Sequence, residues 1–295
     1  MTSWLPFEWI AASRFLREGR MQSIAIVLGV SIGVGVIVFM SAALSAQMGN
    51  IIRRVLSAQA HVVLLPPKEV ARPLRAEPGK AHAALVQKPF QRVRSIDQWQ
   101  RILRETEAMP AVTAAAPMAT GSALAVRGEA TRSVTLSGID PAAYFRIVPL
   151  PEKIASGSAR LGAEDVIIGI ELAADLGVAV GDKLRIVPAS GQGAALTVTG
   201  LVDLGSKGAN QRATYVALHT AQSLLGLTGG ASSIEVTVRD LYAAEDVAQA
   251  IAAANGVQAD SWIRTNSQFF TAINAQRVAN TAIRVFVALA IAFGI

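Results

Sequence analysis

The 295-residue chain contains no cysteine. That excludes a disulfide framework and a thiol nucleophile, while leaving the compartment open. Histidine is scarce: His61, His82 and His219 stand far apart, and no pair has metal-ligand spacing. Aromatic residues make up only 5%, with no aromatic-and-basic stripe and no nucleic-acid motif. The net charge of +6 is therefore read as directed at anionic lipid or at no partner, and nucleic acid is not expected. Charged residues amount to 16% against 52% apolar, a balance more apolar than a typical soluble protein.

Catalytic patterns are missing too. Gly177-Val-Ala-Val-Gly-Asp-Lys183 is one residue short of a phosphate loop, which needs four residues before its Gly-Lys pair and a Ser or Thr after it. It reads as a tight turn entering a strand. Glu164-Asp165 and Glu245-Asp246 are adjacent carboxylates at surface positions, and no nucleophile elbow or Ser/His/Asp order is defensible. No catalytic residue, metal ligand or cofactor is expected in this chain.

What the sequence does have is an uncharged run. Met21 to Ile52 carries no charged side chain, and within it Ile24–Leu44 is interrupted only by the hydroxyls of Ser31 and Ser41. Roughly 20 helical residues cross a bilayer's hydrocarbon core. A secretory signal has a shorter apolar core of about 7–15 residues. An uncleaved anchor is therefore favoured over cleavage at Ser41-Ala42-Ala43. Arg14, Arg17 and Arg20 precede the run and place the N-terminus in the cytoplasm. A second apolar run, Val285–Ile295, is half a span long, so the native polypeptide is expected to continue beyond Ile295 with further membrane helices.

Four regions follow. Residues 1–20 read as a cytoplasmic amphipathic interfacial helix, with Trp4, Phe7, Ala11 and Phe15 at helical spacing. Residues 21–52 are the first transmembrane helix and its outer extension. Residues 53–265 form an extracytoplasmic α+β domain of two interleaved subdomains. Residues 266–295 are a stalk helix and the start of a second transmembrane helix, opened by a capping box at Thr265-x-x-Gln268.

Within the outer domain, Ala60–Leu65 is a strand. Residues 66–94 form an extended arm with five prolines, seven basic residues and only Glu69 and Glu77 in opposition. Its Arg72, Arg75, Lys80, Arg92 and Arg94 are candidate contacts to anionic lipid or an acidic partner. A solvated loop is the more ordinary account. Ser95 caps a helix with Gln98, its apolar face made of Ile96, Trp99, Ile102 and Leu103. Leu124 and Val126 pair with Val134 and Leu136 across a Gly128-Glu129 turn. Asp165–Gly169 is a strand and Glu171–Leu176 a helix stopped by Gly177. Lys183–Val187, Leu196–Val202 and Ser233–Val238 are strands. Asp240 caps a helix with inner face Ala244, Val247, Ala248 and Ile251, closed at Asn255-Gly256.

On the first membrane helix, Ala25, Gly29 and Gly33 lie four apart. Small residues on one face admit a neighbouring helix backbone, although glycine is common in such helices anyway. Met40, Leu44 and Met48 give its outer end an adaptable apolar surface, which ordinary packing explains as well.

Four stretches then carry a resemblance: SRFLREGRMQSIAIVLGVSIGV (Ser13–Val34), SGIDP (Ser137–Pro141), VIIGIELAADLGVAVGDKL (Val166–Leu184) and DSWIRTNSQFF (Asp260–Phe270). In this order and spacing the chain resembles the MacB/FtsX type of ABC-transporter permease, most closely the LolC/LolE-like, lipoprotein-releasing branch. The resemblance implies a four-helix subunit of the bacterial inner membrane with a MacB-like periplasmic core domain. It implies a second permease subunit, in a homo- or heterodimer, and a separate cytoplasmic ATPase that holds the ATP and Mg. It also implies acyl chains between the first two membrane helices. On that account Met40, Leu44, Met48, Phe269 and Phe270 are candidate contacts for an acyl chain or amphipathic substrate. Two departures stand out: the chain stops before the ATPase-engaging loop and last two helices, and the Pro/Arg-rich arm is not a general family feature. An FtsX-like membrane-anchored regulator of an outer enzyme is the alternative, and a cleaved, secreted binding protein is a third reading.

Overall fold

The computed structural model describes residues 20–56, 59–68, 93–189 and 191–294. The amphipathic helix expected before Arg20 lies outside them, as does most of the basic arm. Two compact units are present: Met1–Arg54 with Ser267–Ile295, and Val55–Asn266.

The first unit is built on two long helices, α1 (Arg20–Leu56) and a C-terminal helix (Ser267–Gly294). Among the described residues no helix is long and apolar enough to cross a membrane. The described side chains of α1 are interrupted at several positions, whereas its full sequence is uncharged from Met21 to Ile52.

Among the described residues the second unit holds ten strands and is organised by one of them. It contains β1 (Val62–Leu65), α2 (Trp99–Glu107), β2 (Val112–Arg127), β3 (Ala130–Ile139), α3 (Pro141–Tyr144), β4 (Ile154–Gly157), β5 (Asp165–Gly169), α4 (Ile170–Leu176), β6 (Lys183–Pro188) and β7 (Ala194–Val202). There follow α5 (Lys207–Asn210), β8 (Ala213–Ala217), α6 (Leu218–Leu224), β9 (Ser233–Val238), α7 (Ala244–Asn255), β10 (Gln258–Ser261) and α8 (Trp262–Thr265), after which the long C-terminal helix is α9.

Strand β2, 16 residues long, serves two layers. Its first half pairs with β9, giving the antiparallel order β10-β1-β9-β2. With α2 packed on β2 and α7 on β1 and β10, that is the split βαβ arrangement of a ferredoxin-like layer. Its second half pairs with β3 on one side and β6 on the other. Following β3 to β8, β5, β7 and β6 leads back to β2. Six strands thus close a small barrel, inserted between the second and third strands of the layer. These are the two interleaved subdomains of the α+β reading.

Side-chain size follows from closure. A narrow barrel must alternate small and large residues inside. Here β2 supplies Ala119, Ala123 and Ala125, and its neighbours supply Leu136, Ile168, Leu184, Ile186 and Leu196, all buried together. The hairpin across Gly128-Glu129 forms as the sequence suggests, but its inner face differs by one residue. Val134 opposes Ala123 and Leu136 opposes Gly121, while Leu124 is 44% exposed. A one-residue shift moves every side chain to the other face, and the crowded interior selects the alanines over Leu124 and Val126.

Two caps also differ from expectation. The first helix of the unit starts at Trp99 after Gln98 in a left-handed conformation. Ser95 is not its cap, because its hydroxyl accepts from the Ala231 N–H and joins the segment before β9. Thr265 opens no helix; its hydroxyl donates to the Ser261 carbonyl and closes α8. Asp240 caps a short 3-10 turn, Leu241–Ala243, before α7 begins with the expected inner face.

Candidate functional site

Three places deserve a chemical account: the α1–α9 pair, the exit from the folded domain, and the seam between its two layers.

On α1, Ala25 and Gly29 are exposed and Gly33 partly covered. A Cβ added at Gly29 or Gly33 meets nothing within 4 Å among the described residues. Among the described residues nothing packs against those two glycines. Met40 is 52% exposed. Leu44, Met48, Phe269 and Phe270 lie on the two helices, with side chains outside the described residues. A polar contact joins the pair: Arg284 Nε of α9 donates to Ser41 Oγ of α1 at 3.1 Å.

Of the basic arm, Arg72, Arg75, Lys80 and Arg92 lie outside the described residues. Arg94 Nη1 donates to the Pro67 carbonyl at 2.9 Å, so the arm departs and returns at one point of the domain surface.

At the exit, the DSWIRTN stretch is a clamp. Ser261 ends β10 and caps α8, its hydroxyl accepting from the Arg264 N–H at 3.1 Å. The same hydroxyl donates to Glu245 of α7, holding that carboxyl below the ordinary range, with Gln249 assisting. Arg264 pairs with Asp260. Trp262, 5% exposed, donates its indole N–H to the Leu241 carbonyl at 2.7 Å. The last turn before α9 is thereby bonded to α7 and to the turn preceding it.

The other two motifs resolve into backbone geometry. In SGIDP, a Cβ on Gly138 would lie 2.2 Å from that of Ala221, Ile139 is fully buried, and Asp140 caps α3 with Pro141 at its first position. In VIIGIELAADLGVAVGDKL, Gly177 and Gly181 have φ of 63° and 96°, the left-handed region that glycine adopts without strain. Asp182 Oδ2 accepts from the Ala179 N–H and from Arg127, fixing the turn into β6. The tight-turn reading of this segment holds.

The seam contains what the sequence did not reveal. Segment 140–161 covers the face of the ferredoxin-like layer opposite α2 and α7, packing Tyr144, Ile147, Val148 and Leu150 on Ala114 and Ala116. Strand register puts Glu235 on that covered face, between Val63 and Ala116. Tyr144 and Tyr215 stand near it, ring centroids 6.2 Å apart and hydroxyls hydrogen-bonded. By surface area Glu235 is only partly buried. The density of protein around its carboxyl sets the cost of charge, however, and that desolvation raises its pKa from 4.5 to about 7. Burial, then the Glu235 charge, push Tyr215 up to about 12. Other ionisable groups on the face are His61, lowered by burial and bonded to the Val238 backbone, and Asp260 beyond Val63.

A sign follows. The folded state holds the Glu235 proton more tightly than the unfolded chain, so the penalty is absent below about pH 4.5 and complete above about pH 7. Stability should fall as pH rises through that window. Glu235→Gln is expected to gain about 2–3 kcal/mol over wild type at pH 8 and almost nothing at pH 4.5. Unfolding midpoints at the two pH values measure this, and a gain equal at both would exclude the carboxyl as its source.

Comparison with known proteins agrees with this organisation. The family model of the MacB-like periplasmic core domain matches residues 23–254. The lipoprotein-releasing system transmembrane protein LolC of Xylella fastidiosa (strain Temecula1) is 25% identical over 309 aligned positions, covering 98% of this chain and 68% of LolC. LolC of Neisseria meningitidis serogroup B is 25% identical over 194 positions, covering 61% of this chain and 47% of that protein. A solved structure of the periplasmic region of MacB from Actinobacillus actinomycetemcomitans superposes with a TM-score of 0.45 at 13% identity, covering 75% of this chain and 98% of the other. With the family model spanning most of its length, and as the four stretches lead one to expect, the chain belongs to the MacB-like periplasmic core domain family.

Proposed function

We propose that this chain is the membrane subunit of an ABC transporter, with its Val55–Asn266 unit outside the membrane. One observation carries the reading: a folded domain of the MacB-like family whose chain enters from α1 and leaves into α9, each helix containing a long uncharged stretch. On this reading Ile24–Leu44 spans the bilayer, residues 1–20 are cytoplasmic, and the segment from Val285 starts a second span. The chain is not itself an enzyme. A separate cytoplasmic ATPase supplies hydrolysis with its own ATP and Mg, and a second permease subunit packs on the Ala25, Gly29 and Gly33 face. The relatives named for lipoprotein release suggest an amphipathic cargo. Met40, Leu44, Met48, Phe269 and Phe270 are its proposed apolar contacts. Arg72, Arg75, Lys80, Arg92 and Arg94 are proposed contacts to lipid or a partner.

The absence of cysteine makes the topology directly testable. Glu129, exposed in the β2–β3 turn, is replaced by Cys in one variant and Ser13 in another. A membrane-impermeant maleimide added to intact cells should modify Glu129→Cys and spare Ser13→Cys until the membrane is opened. Labelling of Ser13→Cys alone would invert the topology and refute the proposal.

A further inference from the structure

The α1–α9 pair carries a charge with no opposite. Residues 20–56 and 267–294 contain Arg20, Arg53, Arg54, Arg277 and Arg284 and no Asp or Glu. Arg284 stands where α9 changes character, since Val285–Ile295 is wholly uncharged. Ser41 stands close to the end of the apolar run of α1. The Arg284–Ser41 hydrogen bond brings these two boundaries level. Phe39 and Phe286, each two residues along its helix from Ser41 or Arg284, are 70% and 71% exposed, so both helices present apolar side chains at this level.

Ser41 engages only Nε. The two terminal nitrogens have no partner among the described residues. A guanidinium held by Nε presents its outer N–H groups as a planar fork, the geometry that binds phosphate. A serine hydroxyl does not neutralise the charge, and neither helix offers a carboxylate. An arginine at the edge of an apolar segment meets an anion most readily at the depth of lipid headgroups.

We infer that Arg284, oriented by Ser41, binds the phosphate of a phospholipid headgroup at the apolar boundary of the α1–α9 pair. The inference rests on the membrane reading of these helices. Arg284 is the binding residue and Ser41 a positioning residue. A resident lipid at this place occupies the mouth of the helix pair, where an amphipathic cargo has to displace it.

The test uses the whole protein, purified in detergent. Phosphatidylglycerol, diacylglycerol with the same acyl chains, and glycerol 3-phosphate are titrated separately, with retained lipid read by native mass spectrometry. Wild type should retain phosphatidylglycerol and not diacylglycerol. Arg284→Gln should weaken retention about tenfold or more, as expected for a lost charge-assisted hydrogen bond. Ser41→Ala should weaken it less, and Ser41→Thr should restore it. Equal retention by wild type and Arg284→Gln would overturn the site. Binding of glycerol 3-phosphate as tight as that of phosphatidylglycerol would assign a soluble phosphate and overturn the lipid. Alkaline extraction of cell membranes separates the underlying reading: release of the wild-type protein would refute the spanning helices, whereas retention of both proteins with equal lipid binding refutes the site alone. Unfolding midpoints identify any variant that fails to fold, and Arg284→Lys, which keeps the charge without the fork, should then show weakened retention.

Discussion

Gly169→Ala should unfold the Val55–Asn266 domain at temperatures where wild type is stable, a loss of about 3 kcal/mol or more. The backbone at Gly169 has φ −68° and ψ 148°, open to any residue, so the loss is purely steric. A Cβ there would sit 2.0 Å from the Asn210 carbonyl oxygen and 2.7 Å from its Cα. Those are backbone atoms, and they are pinned. Asn210 is 3% exposed, its side chain accepts from the Leu204 N–H at 2.8 Å and donates to Asp203 at 2.9 Å. Asn210 and the Gly205 N–H in turn hold the Asp203 carboxyl below its ordinary range. The collision therefore falls on β5 and the barrel wall. Gly208 in the same short helix is the control. Nothing lies within 4 Å of its added Cβ, so Gly208→Ala should be neutral or stabilising by up to about 1 kcal/mol. Thermal or urea unfolding of both variants measures the difference. Equal midpoints would show that the approach of α5 to β5 is looser than drawn.

This glycine also shows what the sequence makes legible. The stretch Val166–Leu184 announces a strand, a helix and its stop, because apolar runs and glycine stops are local signals. Its Gly169 looks like any strand end, since what forbids a side chain there is a backbone 41 residues away. The same division runs through the molecule. Strand β9 and the inner face of α7 follow from periodicity. Strands β4, β8 and β10 are short and, lacking the apolar runs of the equally short β1 and β5, are defined by long-range partners. Barrel closure depends on β2 meeting β6 and β3 meeting β8, which no local pattern encodes. Glu235 is the clearest case. The alternation of Ser233–Val238 indicates one polar face, and polar alternation ordinarily means solvent. Segment 140–161 covers that face instead, so the carboxyl acquires its raised pKa from chain that lies far away in sequence. The Ser41–Arg284 bond is not legible in sequence, because it joins residues 243 apart.

On the transporter reading proposed above, Ala275→Pro in the reconstituted complex should leave ATP hydrolysis intact while cargo release falls about tenfold or more. Helix α9 runs unbroken through its 28 residues, about 42 Å at 1.5 Å per residue. It starts at Ser267, two residues later than Thr265, and the turn before it is the clamped end of the domain. Ser261 and Glu245 bond across α8 and α7, Trp262 is buried and bonded to Leu241, and Asn266 donates to the Trp262 carbonyl at 2.9 Å. On that reading, motion arriving along a stiff helix would reach a clamped last turn and be passed on rather than absorbed by melting it. Proline at 275 removes one backbone donor and presses its ring on the preceding turn, costing about 3 kcal/mol or more. A hinge of that size is enough to alter a coupled equilibrium by about a hundredfold. Ala275 is exposed, so Ala275→Leu, which keeps the backbone intact, should release cargo at the wild-type rate and separates the helix break from a packing effect. Release and hydrolysis measured on the same reconstituted complex give the ratio that matters. A wild-type ratio for Ala275→Pro, in complex shown to be correctly inserted, would mean that the domain is driven through α1 or through a neighbouring subunit and not through α9.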